Sequence, residues 1–290
     1  MTTPQIQWYP GHIAKAERQL VEQLKKVDLV LEVRDARIPL ATRHPQLAQW
    51  TAGKEKVLVL NRMDMIPTNL QKDWVGWFHQ QEEMPLFTNA NRGGGVEAVA
   101  QAAREVGDRI NQRRRDRGML PRPVRAVVLG FPNVGKSALI NRLLQRRVVD
   151  SARRPGVTRQ LRWVRISKEL ELLDAPGVLP SKLQNQEAAL RLAICDDIGE
   201  AAYDNQRIAA SLVDLLKDLS DRISAGVEGL RSRYGLDPEE MTGESYLVVL
   251  ADKRHSGDVE RTAREILTDF RKGLLGSMPL ELPPAETEQS

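Results

Sequence analysis

The chain has 290 residues, 43 Lys and Arg against 39 Asp and Glu, a net charge of +4 and one cysteine. That is enough chain for one large or two ordinary domains with a core that needs no disulfides, and 41% hydrophobic with 28% charged residues excludes wholesale disorder. The lone Cys195 excludes a disulfide framework and a cysteine-rich zinc site, and it fits a reducing, cytoplasmic compartment.

The N-terminal MTTPQIQWYPGH has neither the basic leader nor the apolar core of a signal peptide. No run reaches the roughly 20 apolar residues of a membrane span, so no membrane is expected as a partner. Helical patterns cover 13–27, 70–82 and 95–116. Between them, 28–34, 56–61, 84–88 and 125–130 are short, apolar and rich in β-branched residues, as buried parallel strands are. Residues 161–166 and 170–174 read as a strand pair turning at Ser167–Glu169. Such alternation predicts an α/β, doubly wound sheet. After about residue 180 the patterns are helical, over 185–198, 204–224 and 258–274; only Tyr246–Leu250 offers a strand, and it could equally be helical. The expected division is an α/β unit over 1–181 and a mainly helical unit over 182–290.

Residues 130–137, Gly-Phe-Pro-Asn-Val-Gly-Lys-Ser, have the G-x-x-x-x-G-K-[ST] spacing between a predicted strand and a predicted helix. Gly130 and Gly135 let the backbone wrap closely, so that N–H groups from Asn133 to Ala138, Val134 among them, face phosphates at a helix N-terminus. Lys136 is expected to reach the outer phosphates and Ser137 to ligate Mg²⁺. Asn133 fits either a turn residue or a side-chain oxygen that helps hold a monovalent cation. Downstream, Asp174-Ala175-Pro176-Gly177 ends a strand. There Asp174 is placed to position Mg²⁺ through water, and the Gly177 N–H to meet a γ-phosphate. Thr158, in Pro155-Gly156-Val157-Thr158, is the candidate hydroxyl that closes on Mg²⁺.

Asn61-Arg62-Met63-Asp64 ends the strand 56–61 and has the form of a guanine box with Arg in the Lys position. A carboxylate at Asp64 accepts from the N1–H and exocyclic amine of guanine, whereas adenine presents an acceptor there. Asn61 would tie the base to the phosphate loop, and Arg62 would lay its guanidinium over the base. Thr88-Asn89-Ala90 follows the next strand as a backbone-contact loop on the base. These boxes precede the phosphate loop, whereas an ordinary GTPase has them after it. The order is that of a circular permutation, feasible because domain termini lie at the surface and often close together. The helix 95–116 and the Arg-rich segment 113–125 would bridge the old ends.

With these motifs, and with Trp8-Tyr9-Pro10-Gly11-His12 and Asp35-Ala36-Arg37-Ile38-Pro39, the sequence resembles the circularly permuted GTPases, and most closely the ribosome biogenesis GTPase A family. The resemblance covers nearly the whole chain. It implies a potassium-assisted GTPase in late assembly of the large (50S) ribosomal subunit, with Asn133 as the K⁺ ligand.

Val178 and Leu179 follow Gly177, where many GTPases carry a water-orienting Gln. His12 is a candidate in its place, because a helix preceding a parallel strand begins on the ligand side of the sheet; a surface cap is the competing role. The resemblance supports the catalytic one, since Pro-Gly-His is characteristic of the family. Arg34 and Arg37 could contact phosphate or RNA, or pair with Asp35. The arginines of 109–125 and 142–165 could be solvated helix faces or ribosomal RNA contacts flanking the nucleotide loops. The expectation is thus a monomeric GTPase switch, with His12, Lys136 and Thr158 in catalysis and GTP, GDP, the large subunit and its rRNA as partners. The alternatives are a non-catalytic GTP-sensing RNA-binding factor and a P-loop ATPase or kinase.

Overall fold

The computed structural model describes residues 13–144, 162–167, 169–175, 185–198, 203–223 and 225–285. His12, Thr158 and Gly177 lie outside the described residues, and at Asp174 only the backbone is described.

The chain enters through α1 (Ile13–Leu24) and β1 (Leu29–Asp35), then a one-turn helix α2 (Leu47–Trp50), β2 (Glu55–Asn61), α3 (Thr68–Gln80), β3 (Pro85–Thr88) and the long α4 (Val96–Asp116). It returns through β4 (Val124–Leu129), α5 (Lys136–Leu143), β5 (Arg162–Arg165) and β6 (Leu170–Asp174). The sheet order is β3-β2-β1-β4-β6-β5, parallel except for β5 at the edge. The expected hairpin is present, and the Ser167 hydroxyl accepts from the N–H groups of Glu169 and Leu170 at its turn.

Every residue of β1 is buried, as a strand covered on both faces must be. On one face Leu31, Val33, Val59, Val128 and Leu172 share a cluster with Val99, Ala103 and Val106 of α4 and Leu139 and Ile140 of α5. On the other, Val30, Val127 and Leu173 pack with Leu20 and Leu24 of α1, and Leu58 and Leu60 with Leu70, Trp74 and Phe78 of α3.

The remaining elements are α6 (Gln186–Cys195), α7 (Asn205–Asp218), α8 (Ala225–Tyr234), α9 (Gly243–His255) and α10 (Val259–Lys272). Asn185, Asp204, Thr242 and Asp258 cap four of them by accepting a backbone N–H in the first turn. One open reading is resolved and one expectation is corrected here. Tyr246–Leu250 is helical: Tyr246, Leu247, Leu250 and Ala251 are buried, Val248 and Val249 are exposed, and that spacing has the period of a helix. The helix expected over 204–224 stops at Asp218, and α8, absent from the expected patterns, follows it. Its three buried apolar anchors, Val227, Leu230 and Tyr234, and its two internal glycines made α8 faint in sequence.

The segment after α10 returns to the sheet. The N–H groups of Leu280 and Glu281 donate to the Arg37 carbonyl at 3.0 and 3.1 Å. The Glu281 carboxylate accepts from the N–H groups of Leu40 and Ala41 at 2.7 and 3.0 Å. Among the described residues no helix is long and apolar enough to cross a membrane.

Candidate nucleotide-binding site

The candidate site is built on the C-terminal edge of the parallel strands. β4 ends at Leu129, the loop 130–135 follows, and α5 starts at Lys136. Both loop glycines are required by close approach. A Cβ at Gly130 would stand 2.2 Å from the Val33 carbonyl oxygen, and one at Gly135, where φ is 102°, would stand 2.1 Å from Nδ2 of Asn61. Lys136 is buried and its ammonium donates to the carbonyls of Gly130 and Phe131 at 3.1 and 2.7 Å. Ser137 follows in the first turn of α5, and the pairing of Val128 with Asp174 brings the end of β6 level with the end of β4.

Asn61 joins three segments. Its Nδ2 donates to the Val134 carbonyl at 2.8 Å, while its Oδ1 accepts from the Thr88 hydroxyl and the Ala90 N–H, each at 3.0 Å. The base-box strand, the loop 88–90 and the phosphate loop therefore close on one buried carboxamide. Asn89 accepts from the N–H of Arg92 and holds that loop in a turn. Asp64 is exposed in the 3₁₀ turn Met63–Met65, and its carbonyl accepts from the Ser277 hydroxyl at 3.1 Å.

Arg62 departs from expectation. Its guanidinium donates to the Asn133 carbonyl at 2.6 Å, and its Nε lies 3.4 Å from Asp35. The planar head is engaged by the phosphate loop, which leaves the aliphatic stem to cover a base. Asn133 is left-handed, with φ 58°, and its Nδ2 donates to the Asp196 carbonyl at 2.6 Å.

Behind the loops lies a buried ionic cluster. Asp35 holds Arg37 in a fork, at 3.1 and 2.7 Å, and Arg37 also donates to the Cys195 carbonyl at 3.3 Å and lies over the Phe270 ring. Burial pushes the Asp35 carboxyl up, but Arg37 and Arg62 together outweigh it and hold the group below its ordinary range. Asp197 is fully buried, and its pKa lies well above the ordinary value, through burial first and the Asp35 charge second. Arg34 pairs with Glu32 at 2.5 Å. For Arg34 and Arg37, then, structural pairing is what the geometry records.

The basic segments are also corrected. Residues 109–125 do not flank the nucleotide loops; they lie at the opposite, N-terminal edge of the strands. There Arg109 and Arg113 pair with Glu55 at the start of β2, Arg122 with Asp28 before β1, and Arg125 with Glu171. Among the described arginines of the two segments, Arg142 is the one that touches the site. Its guanidinium donates to the carbonyls of Ala90 and Asn91 and so pins the base loop to α5. Only the Asn61 junction, which brings that loop beside α5, could have signalled this role. Arg146, Arg147, Arg153, Arg154 and Arg159 lie outside the described residues.

Comparison with known proteins agrees with this geometry. The family model described as 50S ribosome-binding GTPase matches residues 125–227, starting inside β4 and leaving the base box out, as a permuted order requires. Ribosome biogenesis GTPase A of Bacillus cereus is 35% identical over 98% of this chain and 96% of its own length. The mitochondrial ribosome-associated GTPase 1 of Mus musculus is 30% identical over 94% of this chain and 89% of its own. Among solved structures, GNP-bound YlqF from T. maritima superposes with a TM-score of 0.61 over 93% of this chain and 98% of that one, at 24% identity, and a GDP-bound YlqF with a TM-score of 0.63 over 92% and 99%, also at 24% identity. With a phosphate-loop motif joined through Asn61 to the segment 61–64, and this near full-length relationship, the chain belongs to the ribosome biogenesis GTPase A family and is a GTP-hydrolysing enzyme.

Proposed function

We propose that this GTPase is a switch in late assembly of the large (50S) ribosomal subunit, bound to the subunit in one nucleotide state and released in the other. The observation that carries the nucleotide reading is the Asn61 junction, which joins base box and phosphate loop as guanine recognition requires. Lys136 neutralises the outer phosphates, backbone N–H groups of 133–138 bind them, and Asp64 selects guanine.

The donor set fits Mg²⁺: a hydroxyl at Ser137 in the first turn of α5 and a strand-end residue, Asp174, level with Val128 on the neighbouring strand. Ser137, Asp174 and Thr158 would hold the ion, which would supply charge neutralisation between the outer phosphates. The Asn133 oxygen suits a K⁺ ion, because the amide nitrogen is already used on Asp196. His12, immediately before the start of α1, would orient the attacking water, and the Gly177 N–H would sense the γ-phosphate. Exposed arginines at the end of α4, Arg113, Arg115 and Arg117, would meet rRNA phosphates, at the pole away from the nucleotide. The protein would work in the cytoplasm as a monomer, with an α/β unit over 1–181 and a helical unit over 182–290.

Co-sedimentation with purified 50S subunits, in GTP analogue, in GDP and without nucleotide, tests the switch. Association should depend on the nucleotide, and equal association in all three conditions would rule it out.

A further inference from the structure

The C-terminal end of α6 rests on the phosphate loop. The N–H of Asp197 donates to the Leu192 carbonyl at 2.9 Å, closing a six-to-one turn in which Asp196 takes left-handed backbone, φ 65° and ψ 27°. Glycine usually fills that position, and aspartate is among the few other residues that tolerate it. The reversal turns the Asp196 carbonyl away from the helix and toward Asn133, which is itself left-handed and donates to it at 2.6 Å. The neighbours of Asp196 face the same way. The Cys195 carbonyl accepts from Arg37, and Asp197 lies 4.0 Å from the guanidinium that Arg62 directs at the Asn133 carbonyl. Among the described residues, neither Asp197 oxygen has a hydrogen-bond partner.

A carboxamide has one donor end and one acceptor end. With Nδ2 committed to Asp196, the oxygen is what Asn133 can offer to an ion or water in the phosphate loop. We propose that Asp196 is a positioning residue: its left-handed conformation orients the Asn133 carboxamide, so that docking of α6 sets the affinity of the phosphate loop for nucleotide. This rests on reading 130–137 as a guanine-nucleotide loop. Linkage then requires the reciprocal effect, in which bound nucleotide tightens the docking of α6 by the same factor.

Cys195, fully buried at the end of α6 and the chain's single thiol, reports that docking. The test uses the full chain and two variants, Asp196→Val, which resists left-handed backbone, and Asp196→Gly, which favours it. GDP affinity is measured in Mg²⁺ and K⁺, and Cys195 labelling by a maleimide is timed with and without GDP. Wild type and Asp196→Gly should agree within about threefold in affinity, and GDP should slow labelling in both. Asp196→Val should bind GDP roughly tenfold more weakly, of the order of the penalty for a branched residue in left-handed backbone, and GDP should protect its thiol less. Equal affinity in Asp196→Val and wild type overturns the proposal. So does an Asp196→Gly variant as weak as Asp196→Val, because the side chain and not the backbone would then matter, and so does labelling that GDP leaves unchanged in wild type. A wild type that binds ADP and not GDP instead refutes the guanine reading beneath it. A circular dichroism melt shows whether Asp196→Val is folded; if it is not, the wild-type labelling contrast and the Asp196→Gly affinity decide.

Discussion

Asn61 donates its side-chain N–H to the carbonyl of Val134, 73 residues further along the chain, at 2.8 Å. This bond replaces the chain order of an ordinary GTPase with a spatial one. The parallel register of β1 with both β2 and β4 sets the ends of these strands at one edge of the sheet, so the base box reaches the phosphate loop whichever is made first. The permutation therefore alters the connections and leaves the site assembled.

Replacing Asn61 with Ala should be severe. It strands the Thr88 hydroxyl, the Ala90 N–H and the Val134 carbonyl in a buried junction. Each unmade buried bond costs about 1–3 kcal/mol, so urea unfolding should register a loss of about 3 kcal/mol or more. GDP affinity should fall too, because the loop that Asn61 braces is the one proposed to hold the phosphates. A variant with wild-type stability would mean that water takes over the junction.

Asp64→Asn should exchange guanine for xanthine, whose 2-oxo group accepts where guanine donates. Because Asp64 is exposed in a short turn, the fold should be unaffected and unfolding curves should superpose. Competition between GTP and XTP for the variant is the measurement; an unchanged preference for GTP would place Asp64 away from the base.

Much of this arrangement was legible because its signals are local. Gly130, Gly135 and Lys136 declare a phosphate loop through their spacing, and short β-branched runs between helical periods declare the sheet. The sequence could not show which distant group each charged residue meets. Arg142 reads as one more arginine in a basic run, yet it holds the carbonyls of Ala90 and Asn91; Arg62 reads as a base-stacking group, yet its head is taken by Asn133. Asp196 carried no signal, because a left-handed cap without glycine has no sequence mark. Val248 and Val249 left 246–250 open between strand and helix, being β-branched residues on the exposed face of a helix.

His12→Ala should lower the ribosome-stimulated rate of GTP hydrolysis with little change in GTP affinity. A group that orients or deprotonates the attacking water contributes in the chemical step, by about 10²–10⁴-fold where it acts as a general base. Single-turnover hydrolysis on 50S subunits, paired with GTP-analogue titration, separates the two effects. Lost affinity with an unchanged maximal rate would assign His12 to binding, and a normal rate on the ribosome would leave it as a cap.

Glu281 should make stability fall as pH rises through the mildly acidic range. Its carboxyl closes the C-terminal segment on the loop after β1, where burial pushes its pKa from 4.5 up to about 7, against the two backbone N–H groups that favour its charged form. The unfolded chain therefore loses this proton near pH 4.5, and the folded chain keeps it to about pH 7. Between those values the folded state binds more protons, so the stability from this group is full below the window and lost above it. The shift corresponds to about 3 kcal/mol at most. Asp197, also raised, adds a slope of the same sign, whereas Asp35, lowered, acts only in the acid range with the opposite sign. Glu281→Gln isolates the Glu281 share. Its amide resembles the neutral acid but turns an NH₂ toward one of the two N–H groups, so the variant should be weaker at low pH and flatter with pH. Urea unfolding of both proteins at half-unit steps from pH 4.5 to 8 should show the wild-type curve descending toward that of the variant. Parallel curves would show that Glu281 is ionised throughout and that the slope arises elsewhere.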